Sequence, residues 1–264
     1  MEWTSFLTQL LIGLGACFLG MSAVYAWATK YKFYSSVDVA WSYGFSFLAI
    51  VYLIQTQAQS LKLVVLCSMM ILWSWRLGTH LTVRLAKHYP EEDGRYNDLR
   101  QRWAKNLHLI FLMFFMSQAA SIAILGSPLT FVSADADQSL GGFEIAGMIL
   151  WLIGWVGESI ADRQLAQFKK EPSNKGKVCQ VGLWRYSRHP NYFFEWVIWV
   201  SYFIYASGSP WGWITIYCPL TMLYLLFKIT GIPETEKQSL RSRPIDYKKY
   251  QETTSVFVPW FPKK

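Results

Sequence analysis

The chain has 264 residues, of which 53% are hydrophobic, 17% aromatic and only 16% charged. These proportions exclude an ordinary soluble domain and a disordered chain, because neither combines so many apolar residues with so few charges. The net charge of +8 does not require a nucleic-acid partner, since anionic lipid and an anionic cofactor on one membrane face account for it.

Long apolar runs recur along the chain and predict an all-α integral membrane protein with seven transmembrane helices. The predicted spans are 6–28, 37–55, 61–86, 107–125, 143–165, 192–206 and 211–229. All but one of the 25 Lys and Arg residues then fall on the same side, and Lys62 is the exception. By the positive-inside rule that side is cytoplasmic, with the N-terminus outside and the C-terminus in the cytoplasm. We expect the four cysteines to stay reduced, and none has metal-ligand spacing.

The second span begins with the segment VDVAW, which contains a carboxylate. A charge at membrane depth is costly and usually faces a partner or a cavity, so Asp38 is a functional candidate. Tyr34 lies four residues earlier and would share the helical face of Asp38 if the helix began that soon. The alternative is that Asp38 only caps the first turn of the helix.

The third span ends in a basic face. Arg76, His80 and Arg84 recur at every fourth residue, so their side chains lie along one side of the helix and could face an anion. The following loop is mixed in charge, and its segment DGRYNDLR starts a polar stretch at Arg95, Tyr96 and Asn97. For the arginines further along this stretch, plain solvation is an equally good interpretation.

The fifth span contains the segment GESIADRQ, which has two carboxylates one helical turn apart. Glu158 and Asp162 share a face, and Arg163 follows directly. These carboxylates could accept hydrogen bonds from ribose hydroxyls, or they could form a structural ion-pair network. The loop 169–177 after this span is rich in Lys, Gly, Pro and Ser, which is typical of a mobile flap over a site.

The stretch GLWRYSRHPNYFFE combines cations, aromatics and a helix start. Arg185, Arg188 and His189 precede Pro190, and proline is favoured at the first helical position, so a helix is predicted to begin there. A helix N-terminus beside two arginines is a strong site for phosphate or another anion. The alternative is a positively charged flank that only anchors a membrane helix.

Further polar residues follow in the sixth span and the tail. Glu195 is an intramembrane carboxylate on the same helical face as Asn191. After the seventh span, Glu234 and Glu236 follow a proline, and Asp246 and Tyr247 open a polar cluster before an aromatic end. Such a tail could cap a cytoplasmic pocket, or it could lie on the lipid surface as an amphipathic segment.

Taken together, the segments SVDVAW, WRLGTHLTVR, DGRYNDLR, GESIADRQLAQF, GLWRYSRHPNYFFE and DYKKY resemble the bacterial branch of the steroid 5α-reductase family over about residues 34–260. The RHPNY segment alone is less specific, because isoprenylcysteine carboxyl methyltransferases carry a similar one. The resemblance implies a membrane reductase that binds NADPH and reduces the C=C bond of a 3-oxo-Δ4-steroid or related lipid enone. The alternative is a membrane methyltransferase that uses S-adenosylmethionine.

The resemblance also assigns residues. The catalytic candidates are Asp38, Tyr34 and Glu195, and the substrate-side candidates are Trp41, Glu158 and Trp199. The cofactor candidates are Arg76, Arg84, Arg95, Tyr96, Asn97, Asp162, Arg163, Arg185, His189, Asn191, Asp246 and Tyr247. The family's tyrosine from the helix after the acid has no clear counterpart near Arg76, where Trp73 and Trp75 stand.

One membrane-embedded domain over 1–264 is expected, with substrate-side helices in 1–126 and mainly cofactor-binding elements in 142–264. We further expect a monomer in a bacterial inner membrane, with a lipid-like substrate and membrane lipid as its partners and with neither nucleic acid nor metal.

Overall fold

The computed structural model describes residues 3–56, 60–87, 89, 91–92, 94–137, 139–229 and 231–263, and at Arg95 the backbone only. Across these residues the chain is helical and contains no β-strand. Its α-helices are α1 Trp3–Tyr31, α2 Ser36–Gln55, α3 Leu61–Ala86, α4 Gly94–Arg102, α5 Leu107–Leu125, α6 Pro128–Ser133, α7 Gly142–Lys170, α8 Pro190–Ala206, α9 Tyr217–Lys228, α10 Ile232–Ser242 and α11 Pro244–Thr253. The chain divides into two compact units, Met1–Gly141 with Ala206–Trp213 and Gly142–Tyr205 with Ile214–Lys264.

In unit 1, α2 is the central helix and packs against α1, α3 and α5. Small hydroxyl residues allow α2 and α3 to approach closely. The Ser74 hydroxyl donates to the Ser42 carbonyl at 2.5 Å and accepts the Ser46 backbone N–H at 3.1 Å. Because hydrocarbon offers no water to satisfy such groups, these bonds hold the two helices together where apolar packing alone is weak.

In unit 2, α7 packs against α8 through glycines. A side chain on Gly154 would overlap Ile198, and one on Gly157 would overlap the ring of Phe194. The two backbones therefore lie closer than any larger residue at these positions would permit.

Within the described residues, six helical segments are long and apolar enough to cross a membrane, so the chain is an integral membrane protein. They are Trp3–Tyr31, Ser36–Gln55, Leu61–Ala86, Ala104–Leu125, Gly142–Lys170 and Gly212–Ser242. The predicted sixth span corresponds to α8, whose 17 residues rise about 26 Å, less than the roughly 30 Å of a hydrocarbon core. Seven spans are therefore not confirmed, nor is the orientation, because sidedness alternates with every crossing.

Lys62, the exception in the charge pattern, is buried in an ion pair. Its ammonium lies 2.9 Å from the carboxylate of Asp135, and the two side chains are 2% and 5% exposed. The pair joins the first turn of α3 to the segment after α6. Lys62 therefore has its counter-ion within the protein and does not depend on lipid phosphates.

Candidate functional site

The best-defined polar site lies in unit 2, around the segment between α7 and α8. This segment forms a 3₁₀ turn over Gly182–Arg185 that is fastened to α7. The backbone N–H of Leu183 donates to the Gln164 side chain, and the Trp184 indole donates to the Ala161 carbonyl, both at 2.9 Å. Helix α8 begins at Pro190 as predicted, because proline suits the first helical position.

A single carboxylate, Glu236 on α10, organises the start of α8. It accepts hydrogen bonds from Arg188 Nε at 2.8 Å and Gln251 Nε2 at 2.7 Å, and the Tyr247 hydroxyl lies 3.4 Å away. The His189 Nε2 lies 3.2 Å from the same carboxylate, and the imidazole is only 2% exposed. The anion predicted at this helix start is thus supplied, at least in part, by the chain itself.

Most of the hydrogen bonds that Arg188 donates go to groups of the protein itself. Its Nη1 donates to the carbonyls of Gln251 at 2.9 Å and Thr254 at 2.6 Å, and its backbone N–H donates to Ser255 at 2.8 Å. Charge-assisted bonds of this kind are among the strongest in proteins. The side chain therefore ties the RHPNY segment to α11 and the residues after it.

A cavity of about 230 Å³ lies beside this cluster. Its lining is rich in basic side chains, namely Lys169, Lys175, Lys177, Arg188 and Arg243, together with the imidazole of His189. Of these, Arg188 and His189 already contact the Glu236 carboxylate. Aromatic side chains complete the wall, namely Phe168, Trp184, Tyr247 and Tyr250. No Asp or Glu belongs to the lining as far as the described residues go. An excess of basic side chains around a cavity concentrates anions, so the cavity favours a phosphate or carboxylate ligand.

Arg243 contributes an available donor to this lining. Its Nη1 bonds to the Lys177 carbonyl at 2.8 Å, while its Nε is buried and has no hydrogen-bond partner among the described residues. A buried N–H without a partner costs free energy that a bound oxygen would recover. Loop 169–177, predicted to cover a site, thus contributes to the wall of this cavity and is held by Arg243.

Burial sets the protonation of the cavity's own acids. It raises the pKa of Tyr247 to about 12, helped by the nearby Glu236 carboxylate. Burial likewise raises the pKa of Tyr250 and of the Cys179 thiol. At neutral pH these groups are uncharged, so they do not offset the cations and Cys179 is a poor nucleophile.

The cavity includes only part of the predicted cofactor set. His189 and Tyr247 line it, whereas Asp162, Arg163, Arg185 and Asp246 do not. Of these four, Asp162 is half-buried on α7 and the others are exposed. Asn191 is half-buried in the first turn of α8, and its Oδ1 is buried and lacks a hydrogen-bond partner within the described part of the chain.

Glu195 on α8 and Glu158 on α7 lie in a second, enclosed region of unit 2. The Trp199 indole donates to Glu195 Oε1 at 2.9 Å, one helical turn away on α8. Glu158 on α7 is only 4% exposed, and the Trp151 indole bonds to the Tyr202 hydroxyl at 3.2 Å. The structure therefore brings Glu195 and Trp199 together as one bonded pair.

Unit 1 contains a hydrogen-bonded pair formed by an aspartate and a tyrosine. The Tyr96 hydroxyl donates to Asp38 Oδ1 at 2.8 Å, and Tyr96 is fully buried. Sequence reasoning placed Tyr96 with the cofactor ligands and found no tyrosine partner for the acid in the third span. The structure places Tyr96 of α4 beside Asp38 instead, a contact that sequence spacing does not encode.

Tyr34 does not share the helical face of Asp38, because α2 begins at Ser36. Its buried ring stacks on Phe111 at 4.1 Å, and the Arg100 guanidinium lies 5.6 Å above it. Glu92 accepts the backbone N–H groups of Tyr34 and Ser35 and pairs with Arg100 at 3.0 Å. Glu92, which sequence reasoning missed, therefore fixes the start of α2.

The remaining candidates of unit 1 are spread over several surfaces. Arg76 is half-buried and Arg84 exposed on α3, and Asn97 is exposed and bonds to the Glu92 carbonyl at 3.1 Å. Trp41 donates to Ser121 on α5 at 2.8 Å. Arg95 lies in α4, and its side chain is outside the described residues.

Comparison with known proteins identifies the family. The family described as "Protein of unknown function (DUF1295)" matches residues 24–254. The chain belongs to the DUF1295 family. This family is steroid 5α-reductase-like, which confirms the resemblance at the family level. No solved structure gives a significant match to the chain.

Curated relatives of this DUF1295 protein come from fungi. "Uncharacterized protein C594.04c" from Schizosaccharomyces pombe is 26% identical over 94% of this chain and 79% of its own length. "Uncharacterized protein C9.08c" from the same yeast is 28% identical over 50% of this chain and 62% of the relative. "Probable O-methyltransferase ustE" from Ustilaginoidea virens is 36% identical over 29% of each chain. The predicted bacterial branch and bacterial membrane gain no support from these relatives.

The described residues of this DUF1295 protein contain no group of three or more His, Cys, Asp or Glu side chains that could hold a metal ion. The cysteines are all buried and unbonded to one another.

Proposed function

We propose that the protein is an NADPH-dependent reductase of the C=C bond of a 3-oxo-Δ4-steroid or a related lipid enone. The observation that carries this proposal is the cationic cavity of unit 2, which contains no carboxylate in its described lining. NADPH carries several anionic phosphate groups, whereas S-adenosylmethionine has a single carboxylate beside an ammonium and a sulfonium, and such a lining disfavours its net positive charge. The cavity charge therefore supports the dinucleotide over the methyl donor.

The residues of unit 2 fit part of this cofactor. Lys175, Lys177 and Arg243 are the phosphate ligands in this proposal, because ammonium and guanidinium groups bind phosphate oxygens strongly. Asn191 Oδ1 is a buried acceptor that suits a carboxamide N–H. The cavity of about 230 Å³ is smaller than the roughly 300–1,000 Å³ of most ligand sites, so it would enclose only one end of the dinucleotide.

When bound, NADPH supplies a hydride for the β-carbon of the enone. Hydride addition then requires a donor that stabilises negative charge on the carbonyl oxygen, and the resulting enolate takes up a proton from water on its α-carbon to give the saturated ketone. The proposed donor is Asp38, which must be protonated for this role, as a carboxylic acid in an apolar site can be. Tyr96 holds the carboxyl at 2.8 Å and would fix its orientation. We propose a monomer whose lipid-like substrate enters laterally from the bilayer.

A second candidate function is a membrane methyltransferase. It is favoured by the name of the Ustilaginoidea virens relative, which is matched over 29% of this chain, and by the methyltransferase-like RHPNY segment. The cationic cavity argues against it.

Thermal unfolding of the purified protein with each ligand tests the proposal. A ligand at about a hundred times its Kd stabilises the fold by about 2.7 kcal/mol. NADPH should raise the unfolding midpoint and S-adenosylmethionine should not. Arg243→Met should raise the Kd for NADPH at least about tenfold, because hydrogen bonds to charged groups are strong. Arg241→Met is the matched control, because Arg241 is exposed near the end of α10, two residues before Arg243, and does not line the cavity.

Stabilisation by S-adenosylmethionine alone would replace the proposal with the methyltransferase. Stabilisation by neither ligand would favour a membrane scaffold whose polar clusters are only ion-paired.

A further inference from the structure

The residues after α11 form an ordered strap, residues 254–263, that is bonded to the RHPNY segment. The Ser187 hydroxyl donates to the Phe257 carbonyl at 2.7 Å, and the Trp260 N–H donates to the Tyr186 carbonyl at 2.9 Å. Lys263 folds back and donates its N–H to Thr253 at 2.8 Å. These bonds give the strap a fixed path over unit 2.

The strap is attached at the ends of two apolar helices. The buried ring of Phe257 contacts Phe193 in the first turn of α8 at 5.6 Å. It also contacts Phe227, next to the last residue of α9, at 5.0 Å. Membrane helices change from apolar to charged residues where the hydrocarbon ends, and Lys228 follows Phe227 directly. A hydrocarbon boundary at Lys228 would lie beside Phe257.

Three large apolar side chains of the strap are nevertheless exposed. Val258 is 51%, Trp260 69% and Phe261 77% exposed. They line one surface hollow of about 410 Å³, together with Lys263. Trp260 is three residues from Phe257 and so lies within about 11 Å of it. The headgroup layer is about 5–8 Å deep on each side of a bilayer, so these side chains are within its reach.

We infer that the strap is a lipid-binding element whose Val258, Trp260 and Phe261 insert into the interface of an anionic bilayer. Tryptophan prefers this layer because its ring is apolar and its N–H finds polar partners. The charge of the hollow fits as well, since Lys263 lines it, whereas the exposed Lys248 and Lys249 of α11 are offset by the exposed Asp246 and Glu252. The strap thereby joins the membrane surface to Ser187 and Arg188, the second of which lines the cationic cavity.

Single-cysteine labelling tests this inference. The native cysteines are all buried, so a polarity-sensitive maleimide dye should label an introduced Trp260→Cys or Phe261→Cys selectively in the folded protein. The labelled protein is placed in nanodiscs of mixed phosphatidylglycerol and phosphatidylcholine. Glu171→Cys is the control, because Glu171 is exposed in the loop after α7.

The expected result is blue-shifted emission from positions 260 and 261, with at least about twofold stronger quenching by headgroup-level nitroxide lipids than at position 171. Equal quenching by aqueous iodide at positions 260 and 171 would overturn the inference. Energy transfer between labelled copies without lipid quenching would identify a second copy as the occupant instead. Equal insertion into purely zwitterionic discs would overturn the requirement for anionic lipid.

Discussion

Replacing Glu236 by Gln should destabilise unit 2 without removing any side-chain volume. Glu236 pairs with Arg188 at 2.8 Å, and the two side chains are only 15% and 10% exposed. The change leaves the arginine charge without its counter-ion, while Gln can still accept one hydrogen bond.

Breaking a buried pair from one side costs about 3–5 kcal/mol. We expect Glu236→Gln to lower the free energy of unfolding by about 2–3 kcal/mol, because both groups are partly exposed and Gln retains an acceptor. For a chain of this size that corresponds to a fall of about 5–10 °C in the unfolding midpoint. Glu234→Gln is the matched control, because Glu234 is exposed two residues earlier on α10 and should change stability by less than about 0.5 kcal/mol.

Thermal unfolding in detergent, followed by intrinsic fluorescence, measures both variants. A double-mutant cycle with Arg188→Met isolates the pair, and the coupling should be about 1–2 kcal/mol. If Glu236→Gln unfolds at the same midpoint as Glu234→Gln, the carboxylate does not organise the start of α8 and the account of this site is wrong.

Other variants test the remaining features. Asp38→Asn should lower turnover of a 3-oxo-Δ4 substrate by about 10²–10⁴-fold while NADPH binding is kept; turnover equal to that of Asp98→Asn, an exposed control on α4, would remove Asp38 from the mechanism. Because the pKa of Tyr247 is raised to about 12, its contribution to stability is complete below pH 10 and falls as the pH rises towards 12. Between pH 9 and 11 the wild type should lose about 1 kcal/mol more stability than Tyr247→Phe, and parallel unfolding curves would contradict this. Lys62→Met should cost about 3–5 kcal/mol, and Lys62→Met with Asp135→Asn should recover part of it; the absence of any recovery in thermal unfolding would show that the pair is not coupled.

Local sequence signals predicted the elements better than the contacts between them. Proline chemistry located the start of α8 at Pro190, and apolar length located α3 at Leu61–Ala86. The sixth predicted span corresponds to α8, whose 17 residues are fewer than the roughly 20 that a spanning helix needs. The predicted start of the second span at residue 37 is one residue from the observed Ser36. The sequence did not show what precedes it, because backbone bonds to the distant Glu92 hold Tyr34 in a turn before the helix.

The partners that complete each polar cluster lie far apart along the chain. Arg188 and Glu236 are separated by 48 residues, and Asp38 and Tyr96 by 58. Charge and spacing indicate that an arginine at a helix start attracts an anion, but they do not identify the carboxylate that forms the ion pair. Glu236 could have been suspected only as an acid just after a proline on a polar helix, and that description also fits the exposed Glu234.

The connectivity of the cationic cavity has a consequence for biogenesis. Its walls combine the loop after α7 with Arg243, Tyr247 and Tyr250, which are synthesised after the last apolar helix. During translation the lysines of loop 169–177 therefore emerge well before the aromatic wall that closes the cavity, and Arg188 emerges before its carboxylate partner. Until α10 and α11 are made, Arg188 therefore lacks its carboxylate partner Glu236, and the loop lacks its bond to Arg243.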